Sequence, residues 1–315
     1  MINADKPHLW KEDIAASVDL FNEWFMRFAP KAYRETRVET TKQVEEDLRA
    51  TSDMQQCTAT AIRSRPQIVP TLRMCTAPPI ARDRLIGLAE VRGSLVHRLE
   101  DGKLPTRVAE GELEKELKRI CSVVDKLLDR DIFPWLARGD SPSEQERWRA
   151  ATIVADRLCG AVADPIVRNA QEKRQLASIG GYLEKRGYRA KSHSASAPIE
   201  EMEAGTFCTR LNVKVGKQLS VRLPIDVVIQ PKRPRKSQVP VFIEAKSAGD
   251  FTNTNKRRKE EATKIHQLRE RFGEDGQLVL FLCGYFNAGY LGYEAAEGID
   301  WVWEHRIEDL SKLGI

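Results

Sequence analysis

The chain reads Leu-Pro-Ile-Asp-Val-Val-Ile at residues 223–229 and Val-Phe-Ile-Glu-Ala-Lys at residues 241–246. Both segments are rich in β-branched and other apolar residues, which predicts two β-strands. Each carries charge inside its apolar run, Asp226 in the first and Glu244 and Lys246 in the second. Such charges cost free energy unless opposite charge, hydrogen bonds or a bound cation compensates them. These two segments therefore decide both the expected fold and the expected site.

The two predicted strands bring the charged side chains together. Residues i and i+2 of a strand point to the same side, so Glu244 and Lys246 share a face and Ala245 points away. Only residues 231–238 separate the strands, so we expect a hairpin that places Asp226 beside them. Two neighbouring carboxylates repel each other unless a cation lies between them. Their hard oxygen atoms favour Mg²⁺ as that cation, and the carbonyl of Ala245 is a further candidate ligand.

These residue types in this pattern indicate metal-dependent phosphodiester chemistry. A divalent ion lowers the pKa of a bound water and stabilises charge on a scissile phosphate. Lys246 can orient that water, help to deprotonate it or stabilise the transition state electrostatically, and the sequence leaves these three roles open. A Glu-x-Lys pattern alone is common and usually forms a salt bridge on a strand surface. Here it coincides with an apolar strand and with an acid on the preceding strand.

Positive charge is concentrated around the predicted site. The whole chain of 315 residues has a formal net charge of only +5, which by itself indicates little. Between residues 232 and 271, however, twelve Lys or Arg residues stand against five Asp or Glu residues, with basic clusters at 232–236 and 256–259. Such flanks would neutralise a polyanion held at the acidic site. The alternative is an ordinary solvated basic surface.

The helix expected after the second strand begins with polar and basic residues. Asn253, Asn255, Lys256 and Arg257 lie at its start. Helix N-termini with adjacent cations bind phosphates, so we expect these four residues to contact the phosphate groups of the substrate. The alternative is a plain solvated helix start. Lys259, Lys264 and His266, farther along the same helix, receive no role from the sequence.

The chain changes character near its middle. Residues 1–160 are expected to be mostly helical and to act as a clamp on the substrate, a specificity element or a dimer surface. Residues 161–315 are expected to carry the site, in an α/β (α+β) domain with a mixed sheet. Prolines are expected to end a helix at Pro30 and to begin one at Pro165. The strands at 239–246 and 278–283, joined by a helix, should be parallel.

Composition argues against several other classes. The six cysteines form no Cys-x-x-Cys pair and the five histidines show no ligand spacing, so we expect reduced cysteines and no zinc site. No apolar segment of membrane length and no signal peptide is recognisable, which indicates a cytoplasmic protein without a membrane partner. The run at 284–303 is rich in glycine and aromatic residues. It is interpreted as core packing, with a DNA-groove or dimer loop as the alternative.

The spacing of the acidic set resembles the PD-(D/E)xK nuclease superfamily. Here Pro224-x-Asp226 is followed by seventeen residues and then by Glu244-x-Lys246, and the proline is one residue farther from the aspartate than in a strict Pro-Asp pair. In this superfamily the first core helix often supplies a further acidic metal ligand.

The helix before the predicted sheet provides the matching residues. The resemblance implies that Glu172 takes the metal-side role. Gln175 lies one turn along on the same helix face and is the candidate for DNA contact.

The chain is also similar to the XamI family of type II restriction endonucleases. The segments that carry this resemblance are residues 250–261, residues 284–301, and Trp10 with residues 22–25. It implies a restriction-endonuclease-like mixed sheet flanked by helices and Mg²⁺-dependent, sequence-specific cleavage of double-stranded DNA. It also implies a homodimer on a palindromic site, a bacterial cytoplasmic setting and a cognate DNA methyltransferase as functional partner.

Two other functions remain as alternatives. A structure-specific or repair DNA nuclease would use the same core and cut by DNA shape. A non-catalytic DNA-binding protein would use only the basic surface, and the complete set of Asp226, Glu244 and Lys246 argues against it.

Overall fold

A computed structural model describes residues 1–216, 221–234, 236–251 and 254–315. The chain divides into two compact units, Met1–Phe28 with Arg168–Ile315, and Ala29–Val167. The first 28 residues therefore belong to the same unit as the C-terminal half, whereas the predicted division followed the chain at residue 160. No helix within the described ranges is long and apolar enough to cross a lipid bilayer.

Two helices are much longer than the sequence pattern indicates. Helix α1 spans Trp10–Ala50 and helix α8 spans Glu144–Lys185. The predicted breaks at Pro30 and Pro165 are wrong, because both prolines lie inside these helices. A proline in a helix interior removes one backbone hydrogen bond and costs roughly 3 kcal/mol. The many other hydrogen bonds and contacts of a helix of this length offset that cost.

The unit formed by residues 29–167 is predominantly helical, as the sequence predicts. Between the two long helices lie α2 (Ala59–Ser64), α3 (Val69–Met74), α4 (Arg82–Ala89), α5 (Gly93–Glu100), α6 (Glu110–Leu127) and α7 (Trp135–Arg138). Its core is one apolar cluster that includes the fully buried Trp135. The indole N–H of Trp135 donates a 2.9 Å hydrogen bond to the carbonyl of Asp53, so the ring is buried without an unpaired donor.

The other unit is built on a mixed sheet. Its described strands are β1 (Arg189–Ala190), β2 (Thr206–Val215), β3 (Val221–Gln230), β4 (Val241–Ala248), β5 (Leu278–Gly284) and β6 (Asp300–Trp303). They lie in the order β1-β2-β3-β4-β5-β6. The pairs β2–β3 and β3–β4 are antiparallel, and β1–β2, β4–β5 and β5–β6 are parallel.

The central connections of the sheet agree with the sequence. The hairpin between β3 and β4 is confirmed, as is the parallel pairing of β4 with β5 across helix α9, Thr254–Phe272. The short β1 and β6 were not predicted. Helix α10, Ala288–Ala296, and β6 form the aromatic-rich run, in which Tyr290, Trp301 and Trp303 are buried. Core packing is therefore the structural role of these aromatic residues.

The two faces of the sheet bury different helices. Val228 and Phe242 belong to an apolar cluster that also contains Ile265 and Leu268 of α9. Val227 and Ile243 belong to a second cluster that contains Ile179 and Leu183 of α8. Because side chains alternate along a strand, Glu244 and Lys246 follow Phe242 onto the face covered by α9.

Gly284, at the end of β5, has a strict packing requirement. Its φ is +103°, and an added Cβ would lie 2.1 Å from the carbonyl oxygen of Ala248 on β4. We expect Gly284→Ala to lower the free energy of unfolding by at least about 2 kcal/mol, because strain and steric overlap act together. Thermal or urea unfolding of the full chain measures this loss.

Gly181 provides the matched control in the same unit. It lies inside α8, and an added Cβ meets no atom within 4 Å. Gly181→Ala should raise stability by roughly 0.5–1 kcal/mol, since alanine is the better helix former. Equal effects of the two substitutions would contradict the packing described for Gly284.

Candidate active site

Glu244 is the buried centre of the site. It is 2% exposed, although it is a carboxylate. Its Oε1 accepts a 2.7 Å hydrogen bond from Nζ of Lys264, and its Oε2 lies 3.3 Å from Nζ of Lys246. A carboxylate buried to this degree requires opposite charge and hydrogen bonds, and the two ammonium groups supply both.

The Asp226 side chain is hydrogen-bonded to β4, the strand that carries Glu244. The ladder between β3 and β4 runs as far as Val227 opposite Ile243, and continuing it would place Asp226 opposite Glu244. At this point the backbone N–H of Ala245 donates a 2.9 Å hydrogen bond to Oδ2 of Asp226. The Asp226 carboxylate thus takes a donor that the strand ladder would otherwise use, and it is held beside Glu244.

Burial and the neighbouring Glu244 carboxylate change the pKa of Asp226. Burial, and secondly the negative charge of Glu244, raises the pKa of Asp226 to about 6. The Ala245 N–H and the ammonium groups of Lys246 and Lys264 act in the opposite direction. A carboxyl group whose pKa is raised by a neighbouring like charge is typical of acids that share a cation.

Lys246 lies between two carboxylates. Its Nζ is 3.3 Å from Oε2 of Glu244 and 3.9 Å from Oε1 of Glu261 on α9. Burial is the largest influence on the pKa of Lys246 and lowers it, but Glu244, Glu261 and Asp226 together outweigh burial, so the pKa is raised. Lys246 is therefore a charged ammonium group at neutral pH.

Two residues of α9 that the sequence pattern did not identify, Lys264 and Glu261, complete the cluster. Lys264 donates to Glu244 and also, at 2.9 Å, to the carbonyl oxygen of Pro224. Glu261 is fully buried and approaches Lys246. A signal for Glu261 was present, because it lies four residues before Ile265 and seven before Leu268, on the apolar stripe of the helix.

Helix α10 supports Glu261 from the other side. The hydroxyl of Tyr290 donates a 2.7 Å hydrogen bond to Oε2 of Glu261. Glu294, on the same helix, is also fully buried. Burial, and secondly the charge of Glu261, raises the pKa of Glu294 to about 9. Glu294 therefore keeps its proton at neutral pH, so the pair adds one buried negative charge rather than two.

The two residues predicted on the preceding helix, Glu172 and Gln175, are paired with other groups in the structure. Oε1 of Glu172 is 2.8 Å from Nη2 of Arg210 on β2, in a partly exposed ion pair. Gln175 is 1% exposed, and its side-chain N–H groups donate at 3.3 Å to the carbonyls of Lys246 and Phe281. This placement gives Gln175 a supporting role behind the site, which differs from the DNA contact predicted for it.

The side chains predicted to contact phosphate lie outside the described part of the molecule. Asn253 is not among the described residues, and the side chains of Asn255, Lys256 and Arg257 are not described either.

The donor set fits a hard divalent cation. Within the described residues, no group of three or more His, Cys, Asp or Glu side chains is arranged around a common point. Asp226, Glu244 and the carbonyl of Ala245 offer oxygen atoms only, which is the ligand type of Mg²⁺ and similar ions. Both oxygens of Glu244 face ammonium groups, so positive charge already lies at its carboxylate.

A mixed sheet whose central hairpin carries two acids and a lysine is the arrangement of a nuclease that uses a metal ion. The chain belongs to the XamI restriction endonuclease family, whose profile matches residues 52–303.

Two curated relatives support this assignment. Type II restriction enzyme SalI of Streptomyces albus G is 57% identical over 314 residues, covering 100% of both chains. Type II restriction enzyme XamI of Xanthomonas campestris pv. amaranthicola is 25% identical over 207 residues, covering 64% of this chain and 66% of that protein.

These matches confirm the predicted family and type of enzyme, and the mixed six-stranded sheet with its helices confirms the predicted fold class. The protein is a type II restriction endonuclease, a site-specific deoxyribonuclease. Enzymes of this class act on double-stranded DNA and need a divalent metal ion.

The raised pKa of Glu294 predicts a specific pH dependence of stability. Between its ordinary value of 4.5 and about 9, the folded state holds a proton that the unfolded state has lost. Stability therefore falls as the pH rises through this window. Glu294→Gln has no such proton, so its melting temperature should fall less than that of the wild type between pH 6 and pH 9.

The exposed Glu260 of α9 gives the control for this experiment. Glu260→Gln removes a carboxylate from the same region and should follow the wild-type pH profile. If Glu294→Gln also follows the wild-type profile, the proton assigned to Glu294 is absent.

Proposed function

We propose that Asp226 and Glu244 hold a Mg²⁺ ion, with the carbonyl of Ala245 as a third oxygen ligand, and that DNA is cut at this point. The observation that carries the proposal is the hydrogen bond from the Ala245 N–H to Oδ2 of Asp226, which ties the two acids to one position. When bound, the ion lowers the pKa of the attacking water and stabilises charge on the scissile phosphate.

Lys246 contributes a fixed positive charge beside these acids. Its raised pKa favours the ammonium form, so it donates hydrogen bonds rather than accepting a proton. In this form it orients the attacking water and stabilises the negative charge that develops on the phosphate oxygens. Glu261 supports this role, because a second carboxylate at 3.9 Å keeps the ammonium group in place.

Glu172 is proposed as an additional acid on the metal side. Its carboxylate is paired with Arg210 in a partly exposed ion pair. Exposed pairs contribute only about 0–1 kcal/mol, so the cost of releasing Glu172 is small. Arg210 would then be free to contact a phosphate of the bound DNA.

Binding of the DNA backbone is proposed for the start of α9. Asn255, Lys256 and Arg257 lie in the first turn of a helix that also presents Lys264 to the site, and Asn253 precedes them in the sequence. The free backbone N–H groups and adjacent cations of a helix start suit phosphate binding.

The assembly follows from the symmetry of the substrate. We propose a homodimer, because a palindromic site on duplex DNA offers two equivalent strands to two equivalent active sites. The helical region at 1–160 is proposed to supply the DNA clamp, the specificity element or the dimer surface. A bacterial cytoplasmic location and a cognate DNA methyltransferase as functional partner complete the proposal.

Cleavage of a sequenced plasmid tests both activity and site. With Mg²⁺ the wild type should give discrete bands, and a smear or cutting only at junctions would favour the alternative of a structure-specific nuclease. Asp226→Asn keeps an acceptor for the Ala245 N–H but loses the charge. We expect its cutting rate to fall at least about a hundredfold, with the melting temperature and metal-free DNA binding retained. Normal cutting by this variant would refute the site.

Two substitutions of Lys246 separate its possible roles. Arginine keeps the positive charge and cannot act as a base, because it stays protonated in proteins. We expect Lys246→Arg to retain part of the rate and Lys246→Met to lose roughly a hundredfold or more in single-turnover cutting. If both variants are equally inactive across the pH range, Lys246 takes part in proton transfer instead.

A further inference from the structure

The ammonium group of Lys264 contacts both strands that carry the site, β3 and β4. Its Nζ lies 2.7 Å from Oε1 of Glu244 on β4 and 2.9 Å from the carbonyl oxygen of Pro224 on β3. Both partners are oxygen atoms, and Pro224 is two residues from Asp226. An ammonium ion with two oxygen contacts from adjacent strands occupies the kind of environment that a bound metal ion would use.

The charges around Glu244 show why some cation must be present. Asp226, Glu244 and Glu261 bring three acidic groups into a largely buried space. Lys246 and Lys264 are the cations that approach Glu244 among the described residues. Removing one partner of such a buried pair leaves an uncompensated buried charge, so the acids need a cation even before a metal ion arrives.

Of the two lysines, Lys264 is the one that can be exchanged. Lys246 lies on the same strand as Glu244 and is also held by Glu261. Lys264 contacts one carboxylate and one neutral carbonyl in the described part of the chain, whereas Lys246 lies near two carboxylates. The long, flexible side chain of Lys264 allows the ammonium group to move to solvent or to another anion while α9 stays in place.

We propose that Lys264 is a resident counter-ion of the DNA-free enzyme, which the metal ion displaces from Glu244 and which then binds a phosphate of the DNA. This inference rests on the metal site proposed above. The binding of the metal ion and the binding of DNA then favour each other. Once the metal ion occupies Glu244, the ammonium group of Lys264 binds a DNA phosphate instead. Free enzyme should therefore bind metal ions weakly, and DNA should strengthen that binding.

Direct metal binding to the DNA-free protein tests the exchange. We would titrate the full chain with Mg²⁺ by calorimetry and with Mn²⁺ by electron paramagnetic resonance. Lys264→Met removes the competing charge but keeps a side chain of similar length, and it should bind either ion at least about tenfold more tightly than the wild type. Lys264→Arg keeps the charge and should remain close to the wild type.

The control variant is Lys259→Met. Lys259 is exposed on the same helix, so this substitution changes the net charge by the same amount away from Glu244. It should leave metal binding unchanged. If Lys264→Met binds metal no more tightly than Lys259→Met does, the exchange is refuted.

Cleavage of plasmid DNA tests the second half of the proposal. Lys264→Met should reach its half-maximal rate at a lower Mg²⁺ concentration than the wild type. Its maximal single-turnover rate should nevertheless fall by about tenfold or more, because one phosphate contact is lost. An unchanged maximal rate would refute the phosphate contact while leaving the counter-ion role intact.

Failure of the underlying metal site gives a different pattern. If Asp226→Asn and the wild type bind Mn²⁺ equally, the metal is bound elsewhere, and both proposals are refuted. If Asp226→Asn loses metal binding while Lys264→Met shows no gain, the metal site stands and only the exchange is wrong.

Discussion

A carboxylate that is almost fully buried requires nearby positive charge, and much of the structure around Glu244 serves that requirement. One ammonium group comes from Lys246, two residues along the same strand. The other comes from Lys264 on α9, which is held over the sheet by the buried side chains of Ile265 and Leu268. Burying each of these apolar side chains contributes roughly 1.5–3 kcal/mol, comparable with the 3–5 kcal/mol at stake in the ion pair. Apolar packing and the charge arrangement therefore depend on each other.

The strand-borne part of the site was predictable because its geometry is local. Alternation along a strand puts Glu244 and Lys246 on one face, and a short loop forces the hairpin that brings Asp226 beside them. The observed ladder has this hairpin, and the Ala245 N–H bond adds a contact that no sequence pattern contains. Lys264 was not recognised, since its direction depends on how α9 packs over the sheet. Its role is a property of the tertiary structure.

The long helices show a different reason for failure. Proline is a strong local signal, and Pro30 and Pro165 were both interpreted as helix boundaries. In the structure the helices continue through them, because the free energy of a helix of 41 or 42 residues is summed over many positions. The very short strand β1 went unrecognised for the opposite reason, since two residues carry almost no periodic signal.

Gln175 carries a consequence for any mutational survey of this enzyme. Its amide group joins the carbonyls of Lys246 and Phe281, and so fixes the spacing of two adjacent parallel strands from behind. A survey that measures only the loss of DNA cleavage would group Gln175 with the residues that contact the phosphate. Loss of cleavage at this position would instead reflect a shift of the Lys246 backbone. Amide hydrogen exchange along β4 and β5 would distinguish this shift from the loss of a phosphate contact.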